Sequence, residues 1–181
     1  MKTVTQDIRI LKIGSCESVS RKSTLTYHIG CTADGEIHLR IYANTAAGFF
    51  SQEWLPLTSI NQVLTKAGGH FTSFALQSLF RGKSQNNTAF LLAVLQSEGL
   101  VGRAIDKKRC YDKLDAGPFI AEIKALIGSN TSLSDSDKPP KPAKTSVNAD
   151  DKPEKKETAN KAKASSKKAL DKESSEQNSP P

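Results

Sequence analysis

Two stretches flanking Thr32-Ala33-Asp34-Gly35 restrict this chain more than any other feature. Before the tetrapeptide, Leu25, Tyr27, Ile29 and Cys31 alternate with polar or small residues, and beyond it Ile37, Leu39 and Ile41 do the same. A period of two puts successive side chains on opposite faces of a strand, so each stretch has one apolar face. The two faces are buried on the same side only if Cys31 opposes Ile37, Ile29 opposes Leu39 and Tyr27 opposes Ile41. That register requires an odd connection, Ala33-Asp34-Gly35, with Gly35 in the left-handed conformation. A two-residue Asp-Gly turn would set Ile29 against Arg40 and mix the faces. The opposite face then carries Thr26, His28, Arg40 and Tyr42.

The remaining elements follow from periodicity and punctuation. QDIRILKIG reads as a preceding strand, and GFFSQEWLPL, after Gly48, as a fourth that ends at Pro56. The period then changes from two to 3.6. In LTSINQVLTKAG, Thr58 or Ser59 can cap a helix whose Ile60, Val63, Leu64 and Ala67 form one stripe, with Gly68-Gly69 as its stop. A second helix is predicted from Thr72 or Ser73 to Arg81, with Phe74, Ala75, Leu79 and Phe80 inward. A third runs from about Thr88 to Glu98, burying Phe90, Leu91, Val94 and Leu95, with Leu100 packing back after Gly99. LVGRAI and RCYDKL form a basic-tipped hairpin around Asp106-Lys107-Lys108, and GPFIAEIKALIG forms a last helix opened by Pro118. The predicted fold is α+β: an antiparallel sheet region over residues 1–56, packed as one domain with a helical, winged-helix-like region over 57–128.

From 129 to 181 the composition shifts to Lys, Ser, Ala and Pro, and the only large apolar residues are Leu133, Val147 and Leu170. Such a segment cannot bury enough surface to offset its ordering entropy, so a disordered tail is expected. The chain has 181 residues and a net charge of +7, of which +5 lies in residues 1–128. The tail balances 11 Lys against 9 Asp and Glu, so its Lys155-Lys156 and Lys167-Lys168 pairs read as a solubilising tether. A modest positive balance permits a nucleic acid or another anionic partner without requiring one. Cys16, Cys31 and Cys110 are odd in number and lack CxxC spacing, which points to free thiols in a reducing compartment. MKTVTQDIRILKIG is interrupted by Asp7, Arg9 and Lys12, and no stretch reaches the roughly 20 apolar residues that span a bilayer. The expectation is a cytoplasmic protein with no membrane partner.

Enzymatic signals are weak. Gly82-Lys83-Ser84 spells the end of a phosphate-binding loop, but the first glycine of that motif would stand at position 77, which is Gln77. The preceding segment is also helical where the motif needs a strand, so the triplet reads as a helix stop followed by a helix cap. His28 and Cys31 diverge in the hairpin register, which leaves a core cysteine, surface histidines and no metal site. Cys110 beside Arg109 has no visible orienting partner, and Asp112 and Asp115 read as loop carboxylates. No catalytic residue, cofactor or small-molecule substrate is expected.

Three helices followed by a basic hairpin resemble winged helix-turn-helix DNA-binding domains over residues 58–114. The resemblance implies that the helix after Asn87 reads duplex DNA and that residues 101–114 are the wing. On it, Ser84, Gln85, Asn86, Asn87 and Thr88 are exposed at the helix N-terminus for base or phosphate contact, and Arg81, Lys83, Arg103, Lys107, Lys108 and Arg109 neutralise phosphates. STLTYHIG and GFFSQEW resemble small bacterial proteins found near mobile elements, a likeness that implies no activity. The leading expectation is a non-enzymatic, bacterial-type DNA-binding or accessory regulatory protein acting in transcription. The alternative is a protein-interaction module whose aromatic and basic sheet surface comprises His28, Arg40, Tyr42, Phe49 and Trp54, with the tail as tether.

Overall fold

A computed structural model of the chain describes residues 7–139. Strands β1 (Arg9–Glu17), β2 (Thr24–Cys31), β3 (Ile37–Asn44) and β4 (Leu55–Pro56) form an antiparallel sheet in the order β1-β2-β3-β4. Helix α1 (Leu57–Ala67), a 3₁₀ segment (Ser73–Phe80), helix α2 (Asn86–Ser97), a hairpin of β5 (Val101–Arg103) and β6 (Tyr111–Lys113), and helix α3 (Gly117–Gly128) follow. The fold class is α+β.

The central hairpin has the register demanded by its two apolar faces: Cys31↔Ile37, Ile29↔Leu39 and Tyr27↔Ile41. The N–H of Thr32 donates to the Glu36 carbonyl at 3.0 Å, and Gly35 takes φ 84°. Leu11, Tyr27, Ile29, Leu39 and Ile41 then share one core with α1, the 3₁₀ segment and α2. Gly14 makes a close approach possible. The Tyr27 ring lies where a Gly14 side chain would be, with ring atoms 2.2–2.5 Å from an ideal Cβ. The far end of Tyr27 donates to Glu98, whose buried carboxylate also receives Lys12 at 2.9 Å; Lys12 in turn reaches Glu122 at 2.9 Å. This network ties β1 and β2 to the end of α2 and to α3. It also pushes the Tyr27 hydroxyl pKa upward, first through burial and then through Glu98.

Several expectations are corrected. Only Leu55–Pro56 of the expected fourth strand pairs. Side chains replace the ladder upstream: Ser51 N–H donates to Asn87 Oδ1 at 2.8 Å, and Gln52 Nε2 donates to the Tyr42 carbonyl at 2.6 Å. Helix α1 starts at Leu57 straight from β4 without a side-chain cap, so Leu57 joins the buried stripe and Ala67 is exposed. The second helix is wound as 3₁₀. Leu76 and Phe80 are its buried residues, and Phe74, in the first turn, is 74 % exposed. Helix α2 is buried along Leu91, Leu92, Ala93, Val94 and Leu95 instead of on one stripe. Its stop is as expected, with Gly99 at φ 71° and Leu100 N–H donating to the Leu95 carbonyl at 2.9 Å.

Residues 129–139, expected to belong to the tail, make contacts with the sheet and α3. Arg9 donates to the Asn130 side chain at 3.1 Å and to the Ile127 carbonyl at 3.4 Å. Leu133 N–H donates to the Ile10 carbonyl at 2.9 Å in an antiparallel bridge, so residues 129–139 run back along the sheet. The expected disorder of the rest of the tail, from 140 onward, falls outside the described residues.

Because Tyr27 is held at both ends, Gly14→Ala is expected to cost about 1–3 kcal/mol through overpacking. Gly69→Ala, with no heavy atom within 4 Å of the added Cβ, is expected to be neutral or slightly stabilising. Urea denaturation compares the two variants directly, and equal midpoints would contradict the packing assignment.

Candidate functional site

The β5–β6 hairpin separates its charges. Its strands pair Val101↔Lys113, Gly102↔Asp112 and Arg103↔Tyr111, and Phe71 extends the ladder on Tyr111 through bonds of 2.9 and 2.7 Å. That bridge brings His70 beside the hairpin's carboxylates. His70 Nδ1 lies 2.9 Å from Asp112 and Nε2 lies 3.5 Å from Asp106, while the His70 N–H donates to Asp112 at 3.0 Å. Arg103, Lys107, Lys108 and Arg109 are all exposed and join no ion pair among the described residues. Arg109, at the turn, takes φ 65°.

Arg103 and Arg109 line a groove of about 720 Å³ that runs to the start of α2. Ser18, Ser20, Thr72 and Ser73 bring hydroxyls to it, Asn86 brings an amide, and no carboxylate lines it. The Arg103 guanidinium lies 5.9 Å from the centroid of Tyr111, which also lines the groove. Val19, Ala89, Phe90 and Leu92 complete the lining, so the two guanidinium groups and four hydroxyls are set among apolar side chains.

The residues cast as the N-terminus of a recognition helix divide. Arg81, Lys83, Gln85 and Asn86 are exposed and Ser84 is half-buried. Asn87 is 0 % exposed and Thr88 is buried, which corrects the expectation that both face a ligand. Asn87 is spent on structure: it accepts from Ser51 N–H and donates from Nδ2 to the Ser84 carbonyl at 3.0 Å. Thr88 Oγ1 donates to the Gln85 carbonyl at 2.9 Å. Ser84 Oγ accepts the Asn86 N–H at 3.3 Å, and Gly82 takes φ 72°, so the Gly-Lys-Ser triplet is a turn after a helical segment. Lys83 pairs with Glu53 at 3.4 Å. Asn86 lines the groove and its Nδ2 donates to the Phe49 carbonyl at 3.4 Å.

A second constellation lies on the sheet face opposite the core. Register places His28 directly across from Arg40. Gly30, two residues along the same face, leaves room for Trp54, whose ring lies 3.2 Å from where a Cβ would stand. Arg40 sits 4.5 Å from the Trp54 centroid and 5.2 Å from that of Tyr42. The His28 ring stacks on Tyr42 at 4.3 Å and 21°. Arg40 donates to His28 Nδ1 at 3.3 and 3.0 Å, and Asp135, from beyond α3, pairs with Arg40.

Four of the five residues expected on a partner surface therefore converge. Phe49 does not, standing 91 % exposed beside Lys83 and Ser84. The expected surface histidines are also corrected: His28 is 0 % exposed and His38 is buried, because side chains from three separate segments close over the first and the turn carbonyl of Glu36 engages the second at 3.1 Å. Asp135, the Asn87 tie and His70's role were missed, since each depends on a contact between distant segments. Burial pulls the His28 pKa down to about 4, and Arg40 adds to the shift while Asp135 opposes it. His28 is thus neutral at physiological pH. With Nδ1 accepting from Arg40, its proton sits on Nε2, which has no partner among the described residues.

Burial also pushes the Cys16 thiol up to about 11, with Glu98 adding to the effect, so it stays protonated. No group of three or more His, Cys, Asp or Glu converges as a metal site among the described residues. No helix among them is long and apolar enough to cross a membrane.

An imidazole held neutral in the fold but free to protonate in the unfolded chain makes stability fall with pH. The loss runs from about pH 6.5 to about 4 and reaches on the order of 3 kcal/mol. His28→Gln removes this component. Its urea midpoints should therefore decline less than those of the native chain over that interval, and parallel declines would contradict a buried neutral His28. The chain matches no protein-family model, and comparison with curated proteins and with solved structures finds no match.

Proposed function

We propose that the protein is a non-enzymatic DNA-binding or accessory regulatory protein that engages duplex DNA through the 103–109 hairpin and the groove beside it. The observation that carries this reading is the separation of charge on the hairpin. Asp106 and Asp112 are drawn to His70, while Arg103, Lys107, Lys108 and Arg109 are exposed and unpaired among the described residues. A two-stranded ribbon has the dimensions to enter a DNA groove. Its cations release condensed counterions from the phosphates, and the hydroxyls lining the groove donate to phosphate oxygens. Ile105, fully exposed near the hairpin tip, is the type of apolar side chain that wedges between base steps in the minor groove.

Helix α2 has a different role here from that of a recognition helix. With Leu91 to Leu95 and Asn87 buried, it supports the hairpin, and only Gln85 and Asn86 at its start retain exposed amides that can pair with adenine. Arg81 and Lys83 flank that turn and supply outlying phosphate contacts, Lys83 by exchanging Glu53 for a phosphate.

Fluorescence anisotropy with a random-sequence duplex at several salt concentrations tests the reading. Affinity should fall steeply with salt, and Arg103→Gln with Arg109→Gln should weaken binding about uniformly across sequences. Each cation removed should reduce the salt slope by about one. All four side chains are exposed, so the melting temperature should stay nearly unchanged in the fourfold Gln variant. Native affinity in that fourfold variant would sink the assignment.

A further inference from the structure

We propose that Arg40 anchors a carboxylate-binding site for an acidic, extended segment of a partner protein, and that Asp135 of this chain is its displaceable intramolecular occupant. The site shares no residue with the groove of Arg103 and Arg109, so the inference stands independently of DNA binding.

Arg40 is organised before any ligand arrives. Its side chain is only 15 % exposed, lies against Trp54 and Tyr42, and is oriented by its hydrogen bonds to His28 Nδ1. A guanidinium fixed in this way keeps its fork for a carboxylate and loses little side-chain entropy on binding one. His28 accepts as a neutral ring and leaves the charge of Arg40 uncompensated. The carboxylate that answers it is Asp135, which belongs to no helix or strand and is 55 % exposed.

The segment carrying Asp135 is lightly held. Leu133 makes one ladder bond to Ile10 of β1, and Ser134 and Asp137 close a local turn through bonds of 3.0 and 2.7 Å. β1 is an outer strand in the sheet order, so an added extended chain reaches its Ile10 carbonyl by displacing Leu133. A cavity of about 950 Å³ lies alongside, lined by Arg9, Thr32, Arg40, Trp54, Leu133 and Asp135, among others. It holds space beyond what the resident Leu-x-Asp segment fills. A ligand of the same kind, with one carboxylate on Arg40 and an extended backbone on β1, therefore has room for further side chains against Trp54. The resident segment shows the binding mode, and with Asp135 displaced the lining keeps Arg9 and Arg40 against one carboxylate, Asp7, a balance that favours an acidic peptide.

Trp54 is the one tryptophan of the chain, so its fluorescence reports this site alone. The probe is a synthetic peptide of residues 131–138, TSLSDSDK, and the same peptide with Asn in place of Asp135. Titrated into the full-length Asp135→Ala chain, the acidic peptide should bind at least about tenfold more tightly than the Asn peptide. The native chain, in which the resident segment competes, should need about tenfold more peptide and reach the same endpoint. Arg40→Met should abolish binding. Arg40→Lys, which keeps the charge and loses the fork, should weaken it with the circular dichroism spectrum unchanged. Equal binding of the two peptides to Asp135→Ala, or no binding, overturns the proposal. So does a native chain that never reaches the endpoint, because Asp135 is then a permanent strut.

Discussion

The pairing register of β2 and β3 is the constraint on which the rest of the molecule depends. Ile29 opposite Leu39 and Tyr27 opposite Ile41 direct both apolar rows to the side covered by helices. The same register sets His28 across from Arg40 on the other side. Core and polar cluster are therefore two consequences of a single alignment. A slip of one residue would expose the apolar row and separate the histidine from the arginine in one step.

Around that hairpin the chain builds outward through a few polar ties. Glu98 gathers Tyr27 and Lys12 and so fastens the end of α2 to the sheet, while Asn87 fastens the start of α2 to the segment before β4. With both ends tied and its middle buried, α2 is a core element, and the surfaces at its N-terminal end are displayed by turns. The basic groove is assembled from the β1–β2 connection, the start of the 3₁₀ segment, the second hairpin, and Asn86, Ala89, Phe90 and Leu92 of α2. His70 engages the carboxylates of Asp106 and Asp112, and Arg103 and Arg109 at the groove join no ion pair among the described residues.

Periodicity was sufficient for the first three strands, for the helix stop at Gly99 and for the second hairpin, because each is a local pattern with its own punctuation. It was insufficient wherever a second layer covers a surface. Leu92 and Ala93 occupy the outer side of a stripe drawn on an isolated helix, yet the packed helix has no outer side at those positions. Phe74, expected inward, is exposed in the first turn of the 3₁₀ segment, where Leu76 and Phe80 are the buried residues. His28 has the chemistry of a surface residue and became buried when Tyr42, Trp54 and Asp135 closed around it. The leading site hypothesis is thus legible only in part: Arg103, Arg109 and Asn86 share one groove, while Asn87 and Thr88 are structural.

The sequence alone determined the α+β class, the hairpin register with its three-residue loop, and the set of residue types available for an anionic partner. These follow from side-chain alternation and from glycine's tolerance of positive φ, which act over a few residues. Tertiary structure decided which of those residues are accessible, which charges are neutralised, and that residues 129–139 return to the sheet so that Asp135 reaches Arg40. Burial and ion pairing arise between distant segments, 95 positions apart for Arg40 and Asp135, and no local pattern encodes them.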